Sequence, residues 1–438
     1  MENTTDLIST LDIFLFVLYA FLGYYFMKYV VFKKMQPVFY KLVAVSFIFK
    51  LIGCVLMSLL IVYYWKVSDN LLFYADSKSL FNLIRSDIIN FKYFFLPVDA
   101  FNEKIKMDIS LSNSKVSGLE SNFLVTRFCT VFYPLALGKY LLINFFFCLL
   151  ATIGELKLYL ALSEKYSHIK RGIAISVLFM PSVILYSSYI NKETLCMAFI
   201  GFAVYNYFKI VNKKDKRIYV AGLVINILLL YMLKVYIVYA FIGGLFLNLL
   251  LTIFLRYING SIISKLFTVI ITAALFIIFM LNIKIFDPYV VGLIDTSNFF
   301  QQQYNSDFGE TSSFEFGQIE TSFQGLLKKT PFAFYTTYFR PHLWEVNKPI
   351  ILFSALESLV ILFFLLSAIF KKITFLNRFF TGDSFIRIMV LYTVLFGITV
   401  GLSTFNFGTL IRYKIPAVPF LMLFIFLLSA YQPAKKIN

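Results

Sequence analysis

The sequence predicts an all-α, polytopic transmembrane helix bundle, and three observations support that fold class. Of the 438 residues, 60% are hydrophobic and only 14% are charged, and the mean hydropathy is +0.80, which is more apolar than a soluble core of this size requires. The apolar residues lie in runs of about 20, the length with which a helix crosses the hydrocarbon of a bilayer. Basic residues, in contrast, collect in alternate connections between these runs.

The apolar runs predict about eleven spans within a single integral-membrane domain, residues 1–438. They fall near 12–32, 42–65, 138–162, 171–190, 194–210, 218–234, 236–255, 265–284, 350–370, 386–404 and 415–431. Lys234 lies at the junction of two of these runs, so the pair on either side of it is also compatible with one broken element.

Orientation follows from the basic connections, because Lys and Arg beside a span resist translocation. The connections near 33–41, 165–171, 213–217, 256–265, 371–387 and 435–436 are therefore placed in the cytoplasm. Two long segments, 66–137 and 285–349, become extracytoplasmic loops, and the first is expected to contain amphipathic helices. The net charge of +17 is mostly a topology signal, and the sequence contains no nucleic-acid-binding motif. The expected location is the inner (plasma) membrane of a bacterium.

Polar residues gather at the predicted outer face. The stretch "SSYINKETL", residues 187–195, places Lys192 and Glu193 at the outer mouth of a helical hairpin, where the inside-positive bias does not favour a lysine. Lys234 interrupts an apolar run, where an unpartnered charge costs about 3 kcal/mol or more. The remaining polar candidates at this face are Asp69, Asp76, Arg127, Arg340, Glu345 and Arg412.

Several of these residues also have structural interpretations. Lys192 and Glu193 are suited to forming an interfacial ion pair with each other. Asp69 is suited to capping the N-terminus of a loop helix. Arg340 and Arg412 are suited to anchoring the chain in the headgroup layer.

No metal site or cofactor is predicted. His168 and His342 fall on opposite sides of the predicted membrane, and the four cysteines show no CxxC spacing. A divalent cation held by the carboxylates of Asp69, Asp76 and Glu193 stays open, because their spacing neither requires nor excludes one.

Acids and several cations at one membrane face suit transfer from a lipid-linked phosphate donor. The cations hold the anionic leaving group, while a carboxylate takes the proton from an acceptor hydroxyl. No predicted cytoplasmic loop exceeds about twenty residues, too few for a nucleotide-binding domain, so the donor is expected to come within the membrane. The expected partners are a polyprenyl-phosphate- or pyrophosphate-linked sugar donor, a glycan or lipid acceptor, and membrane lipids, with no nucleic acid.

The order of features resembles the GT-C class of integral-membrane glycosyltransferases, whose donors are polyprenyl-phosphate sugars. An early extracytoplasmic loop begins with an acid followed by aromatic residues, here Asp69 with Phe73–Tyr74. In "PSVILYSSYINKETL", Pro181 opens a span and Glu193 stands at its outer end. A late "RY..P..P" element, 412–419, is also similar. The resemblance extends over most of the chain, although each motif is short.

The resemblance implies that Asp69 is the general base or positions the acceptor, and that Arg412 binds the donor phosphate. The predicted site has Asp69 and Glu193 as its catalytic residues. Its predicted substrate-binding residues are Asp76, Arg127, Lys192, Lys234, Arg340, Glu345 and Arg412. The long segment 285–349, which contains the polar and aromatic stretch "FQQQYNSDFGETSSFEFGQIE", is expected to form a lid or an acceptor groove.

Two alternatives remain at this point. Repeat-unit polymerases of the O-antigen or capsule type share the span number and use outer-loop arginines to bind undecaprenyl pyrophosphate, so "FRPHLWE" and "LIRYK" fit them too. A lipid-linked oligosaccharide flippase or a small-solute transporter would place charges such as Lys234 along a path through the bilayer. Long outer segments and the lack of a visible internal repeat favour an enzyme over a transporter.

Overall fold

The computed structural model describes residues 7–66, 68–107, 119–212, 216–258, 322–371 and 383–429, together with single residues between 292 and 320. Within these ranges every regular element is helical. The chain divides into two compact units, Met1–Val235 and Tyr236–Asn438, and each is described by itself. The polar stretch 300–320 of the predicted lid lies almost entirely outside the described residues, and the predicted span 265–284 lies entirely outside them.

The first unit is built, over its described residues, from ten α-helices. They are α1 (Thr10–Phe26), α2 (Pro37–Leu59), α3 (Asp69–Ser86), α4 (Val98–Met107), α5 (Glu120–Leu135), α6 (Tyr140–Lys165), α7 (Lys170–Leu178), α8 (Pro181–Tyr186), α9 (Lys192–Asn212) and α10 (Arg217–Leu233). Turns of π-helix extend α1 to Val31 and α2 to Trp65.

The second unit contains a further six α-helices in its described part. They are α11 (Val235–Ile258, beginning at the last residue of the first unit), α12 (Phe323–Phe339), α13 (Pro349–Lys371), α14 (Ser384–Ser403), α15 (Phe407–Tyr413) and α16 (Val418–Ser429). α12 and α14 pack closely, because a side chain at Gly401 would come within 2.1 Å of the Ala333 carbonyl oxygen. The Thr337 hydroxyl donates to the Gly397 carbonyl at 2.6 Å across the same contact. Small residues thus bring the two backbones together.

Seven helices of the described chain are long and apolar enough to cross a membrane, which makes the protein a multi-pass helical membrane protein. They are Thr10–Val31, Pro37–Trp65, Tyr140–Lys165, Lys192–Val211, Val235–Phe254, Pro349–Ile369 and Ser384–Ser403. An eighth arises if α15 and α16, which meet at 64°, form one broken span. The total of eleven spans stays a prediction, as do the single domain and the sidedness of 66–137 and 285–349.

One predicted span is wrong as a continuous helix. Residues 171–190 form α7, of nine residues, and α8, of six residues, with Phe179 and Met180 between them. Neither helix alone is long enough to cross a bilayer. The segment is apolar, as predicted, but Pro181 lacks the N–H that would continue α7 and instead starts α8.

The centre of the first unit is α6, which packs against α1, α2, α7 and α9. Its tightest contact is with α9, because a Cβ at Gly154 would lie 2.5 Å from backbone atoms of Ala198. A Cβ at Gly201 would come even closer to Gly154. Small residues on both helices thus allow close backbone approach, as is common where helices associate in membranes.

The segment predicted as the first extracytoplasmic loop folds as helices. α3, a 3₁₀ turn at Ile88–Phe94, α4 and α5 share a small core that includes Leu80, Phe101 and Phe123. Phe101 and Phe123 stack with their ring centroids 5.2 Å apart. In the described part of 66–137, α3, α4 and α5 are polar on one side and buried on the other, while the assignment of this segment as an extracytoplasmic loop stays a prediction.

A fully buried ion pair holds the broken segment in place. Lys50 of α2 and Glu155 of α6 are each 1% exposed, and their charged atoms are 2.7 Å apart. The Lys50 ammonium also donates to the carbonyls of Val183 and Ser187, both at 3.2 Å. The Ser187 carbonyl lies just past the end of α8, where no helical N–H follows to bind it, whereas the Val183 carbonyl also accepts from the Ser187 N–H at 3.2 Å. The pair therefore satisfies backbone groups that hydrocarbon would leave bare.

Removal of one partner from this pair is expected to be costly. Lys50→Met leaves the Glu155 carboxylate buried without its counter-charge and the Ser187 carbonyl without a donor, and we expect a loss of about 3 to 5 kcal/mol in the free energy of unfolding. The double variant Lys50→Met with Glu155→Leu removes both charges and should regain much of that loss. Unfolding followed in detergent micelles measures both. Lys41→Met, at an exposed lysine of the same helix, is the matched control; equal stability of all variants would contradict the assigned role.

Candidate functional site

Two asparagines fix the start of α9 by binding the non-helical backbone that precedes it. Residues 187–191 connect α8 to α9, and of their amides only that of Ser187 makes a helical hydrogen bond, to the Val183 carbonyl at 3.2 Å. The Ile190 amide donates to Asn144 of α6 at 2.8 Å, and the Ile190 carbonyl accepts from the Asn70 amide of α3 at 2.9 Å. Both polar groups of this residue are thereby satisfied by side chains. The first residue of α9, Lys192, is in consequence held at a defined position beside α3.

Glu193 and Lys234 form a second buried ion pair. Their charged atoms are 2.5 Å apart and their side chains are 2% and 5% exposed. Lys234 stands between α10 and α11 with an extended backbone. Each charge reduces the cost of burying the other. The interfacial pairing expected between Lys192 and Glu193 is wrong, because the glutamate binds Lys234 instead.

Lys192 points a half-buried ammonium toward α3 and α5. It donates to the Ser121 hydroxyl of α5 at 2.8 Å. It also lies within electrostatic reach of Asp69, Glu193 and Lys234. These four residues, Asp69, Lys192, Glu193 and Lys234, are called the charged cluster below. The structure thus brings together four residues that the sequence predicted for one site.

Asp69 is the exposed carboxylate of the charged cluster. It is the first residue of α3, and the helix is capped by Ser68, whose hydroxyl accepts from the Asn70 amide at 3.4 Å. The interpretation of Asp69 as the N-cap is therefore wrong. Among the described residues no group donates a hydrogen bond to its side chain. Asp69 and Lys192 are consequently the two members of the cluster that solvent or a ligand reaches, since Glu193 and Lys234 are buried.

Hydrogen-bonded polar side chains of α6 and α2 support the start of α3. The Tyr140 hydroxyl donates to the side-chain oxygen Oδ1 of Asn70, and the side-chain amide of Asn144 donates to the Ser58 hydroxyl at 3.1 Å. None of these four residues was predicted as part of the site. A signal was present, since Asn144 interrupts an apolar run and Asn70 follows Asp69 directly, but an asparagine does not show its partner in the sequence.

Asp76 lies two helical turns along α3 from Asp69, but inside the protein. It is 2% exposed, and its Oδ2 atom has no hydrogen-bond partner among the described residues. Burial raises the pKa of Asp76 to about 7. It lies near the thiol of Cys129, whose pKa is raised well above its usual value by burial. Asp76 is therefore a buried carboxyl group that is uncharged below neutral pH, and its assignment to substrate binding stays a prediction.

Arg127 has structural partners rather than an open guanidinium. It stacks over the Phe123 ring at 4.5 Å and donates to the Leu96 carbonyl at 2.6 Å. Glu120 lies 3.7 Å away. The residue joins α5 to the connection between the 3₁₀ turn and α4. Its assignment to substrate binding stays a prediction.

The second unit contains the other three predicted residues. The Arg340 guanidinium is hydrogen-bonded to the Glu345 carboxylate and covers the ring of Phe314 at 4.4 Å and that of Phe407 at 5.4 Å. Although burial raises the pKa of Glu345, hydrogen bonds from Arg340 and the His342 amide together lower it. Arg412 is half-buried in the last turn of α15.

Near these residues the second unit has a buried lysine that the sequence did not single out as a site residue. The Lys414 ammonium donates to the Ser358 hydroxyl at 2.9 Å, and Ser358 in turn donates to the Arg340 carbonyl at 3.3 Å. Glu357 lies within electrostatic reach of Lys414. The "LIRYK" element is thus linked to Arg340 through one serine. In the described ranges no three His, Cys, Asp or Glu side chains are grouped so as to hold a metal ion.

The buried carboxyl of Asp76 makes stability depend on pH in a defined direction. Its pKa is about 7 in the folded protein and near 3.8 in the unfolded chain, so the folded state binds the proton more tightly between these values. Stability is therefore lost as pH rises from about 4 to 7 and stays constant above. We expect the free energy of unfolding of Asp76→Asn, relative to that of wild type, to increase by roughly a few kcal/mol from pH 4 to pH 8.

Unfolding in detergent at both pH values measures this change in the difference between variant and wild type. Asp99→Asn, at an exposed aspartate in the first turn of α4, is the control and should show no such change. An Asp76→Asn difference that is the same at pH 4 and pH 8 would show that the carboxyl does not titrate between them.

Comparison with known proteins returns no relative. No protein-family model, no curated protein and no solved structure matches the chain. The function of the charged cluster is for that reason inferred from its own geometry and chemistry.

Proposed function

We propose that the chain is a membrane glycosyltransferase that takes its sugar from a polyprenyl-phosphate donor at the extracytoplasmic face. The observation that carries the proposal is an exposed carboxylate, Asp69, within electrostatic reach of a half-buried ammonium, Lys192, beside the ends of candidate spans. Asp69 follows the span Pro37–Trp65 by four residues, and Lys192 is the first residue of the span Lys192–Val211. The ends of spans lie at the level of lipid headgroups.

The two exposed groups are suited to the two charge changes of such a transfer. The acceptor hydroxyl gives its proton to the Asp69 carboxylate as its oxygen forms a bond to the anomeric carbon. The bond between that carbon and the phosphate oxygen breaks, and its electron pair leaves with polyprenyl phosphate. The Lys192 ammonium compensates the charge that develops on the departing phosphate. No nucleotide takes part, and the lipid carrier stays in the membrane.

The buried members of the charged cluster have a positioning role in this proposal. Glu193 is buried and bound to Lys234, so it does not reach an acceptor, in contrast to its predicted catalytic role. The pair fixes the first turn of α9 and with it Lys192. Ser121, which accepts from Lys192, holds the ammonium from the side of α5.

A transporter is the second candidate, because a specific observation favours it. Helices α7 and α8 form a broken segment, and the Lys50–Glu155 pair contacts the end of α8. Discontinuous helices and buried charges are features of substrate paths in transporters. The pair, however, is 1% exposed on each side and its donors are used by the α8 carbonyls, which is the arrangement of a structural support.

The proposal is tested with purified protein in nanodiscs and radiolabelled polyprenyl-phosphate hexose, with native membranes as the acceptor source. Loss of the Asp69 carboxylate removes the proton acceptor, so we expect Asp69→Asn to lower the rate of hexose transfer by about 10²- to 10⁴-fold. Asp99→Asn is the matched control, since it also removes an exposed aspartate from the first turn of a helix, and it should leave the rate unchanged.

Parallel substrates separate the alternatives. Transfer from a pyrophosphate-linked oligosaccharide, with none from the monophosphate donor, would identify a repeat-unit polymerase. Movement of an intact lipid-linked sugar to the opposite leaflet, with no new glycosidic bond, would identify a transporter. Wild-type activity in Asp69→Asn would remove the charged cluster from the mechanism.

A further inference from the structure

A polar cavity lies on the other side of α3 from the charged cluster. Its volume is about 540 Å³ and it is walled by α3, the end of α5, the connection 135–139 and the first turns of α1 and α6. Tyr74, Lys78 and Arg85 recur along α3 at helical spacing and face this cavity. Asp69 and Asp76 lie on the opposite face of the same helix. The cavity is thus a separate site.

Positive charge dominates the cavity wall. Three basic residues, Lys78, Arg85 and Lys139, line it, against a single carboxylate, Asp12. Asp12 is 1% exposed and lies 3.1 Å from the Lys139 ammonium, so one cation is already compensated. Arg85 is exposed in the last turn of α3, and the described residues place no carboxylate in contact with it. A guanidinium that no described carboxylate contacts is suited to binding phosphate oxygens through paired hydrogen bonds.

The cavity also opens beside the lipid-facing surface. Asp12 lies in the first turn of the span Thr10–Val31, and Lys139 directly precedes the span Tyr140–Lys165, so the cavity is at the level where spans end. Leu137, which lines the cavity, is 61% exposed. Leu135, two residues before it, is 55% exposed. A ligand that joins a phosphate to a hydrocarbon chain fits both surfaces. A free anion would use only the cations.

The connection that forms the cavity floor has an uncommon backbone. Leu137 and Gly138 have φ values of 52° and 69°, in the left-handed region. Leucine adopts this conformation at a cost of about 1 to 2 kcal/mol. The Tyr74 hydroxyl donates to the Gly138 carbonyl at 2.9 Å and holds the turn against α3. The turn directs Leu137 outward and Lys139 toward Asp12, which places an apolar and a charged residue next to each other at the opening.

We infer that this cavity binds the phosphate-bearing headgroup of an anionic lipid, with Arg85 on the phosphate and the acyl chains along Leu135 and Leu137. The inference does not depend on glycosyl transfer. A membrane protein that binds an anionic lipid here has a second lipid site, apart from the charged cluster.

The test is lipid binding by the whole protein in detergent micelles, counted by native mass spectrometry during titration with phosphatidic acid. We expect a saturable first site for phosphatidic acid that phosphatidylcholine does not fill. Arg85→Gln should weaken that site at least about tenfold, because the charge-assisted contacts of the guanidinium are lost. Lys216→Gln, at an exposed lysine beside the apolar helix α10, controls for loss of charge alone and should bind as wild type.

Two further measurements keep the result interpretable if the charge variant folds poorly. Asn82→Trp fills the cavity without a change of charge and should also abolish the site, since Asn82 lines it and is exposed. Asp69→Asn should leave lipid binding intact, which separates this inference from the proposed transfer reaction. Equal binding of phosphatidylcholine, or unchanged binding in both cavity variants, would overturn the inference. Full displacement by inorganic phosphate at matched concentration would overturn the lipid assignment and identify a site for free phosphate.

Discussion

The first unit depends on the pairing of charges that it buries. Two lysines, Lys50 and Lys234, lie inside an apolar helical unit, and each meets one glutamate. A lone ammonium there would cost several kcal/mol, whereas a pair with additional hydrogen bonds keeps its charge with a much smaller penalty. Both pairs flank the unwound residues 187–191. Lys50 binds the end of α8 on one side, and Lys234 binds the first turn of α9 on the other.

That constraint explains why a polar stretch occurs between two apolar ones. An unwound segment within a membrane protein exposes backbone groups that lipid cannot satisfy. Here the Ile190 amide and carbonyl are bound by asparagines of α6 and α3, and the Ser187 carbonyl by Lys50. The same contacts position Lys192 next to Asp69. The residues that satisfy the break are therefore also the residues that build the site.

The sequence allowed the prediction of the elements better than of their partners. Hydropathy found the long spans because the length and composition of a helix in lipid follow directly from the bilayer. It missed the interruption at Phe179–Met180, because an apolar composition reports burial and not continuity. It identified Lys234 and Glu193 as unusual, since charges stand out in apolar runs. It did not reveal that they bind each other, because they are 41 residues apart and only the packing of α9 with α10 brings them together. Asn70 and Tyr140 were missed for the same reason.

Helix α3 shows how one short element serves two surfaces of different chemistry. One face has Asp69 at its exposed start and buries Asp76 and Leu80 against α5, while the opposite face presents Tyr74, Lys78 and Arg85 to the cavity. The helix is not among those apolar enough to cross a membrane, so packing sets its orientation. The core around Phe101 and Phe123 holds one side, and the hydrogen bond from Tyr74 to the Gly138 carbonyl holds the other. A helix held on both sides cannot rotate to satisfy one face without disturbing the other. The carboxylate of the charged cluster and the cations of the cavity are in this way kept at fixed positions by the same eighteen residues.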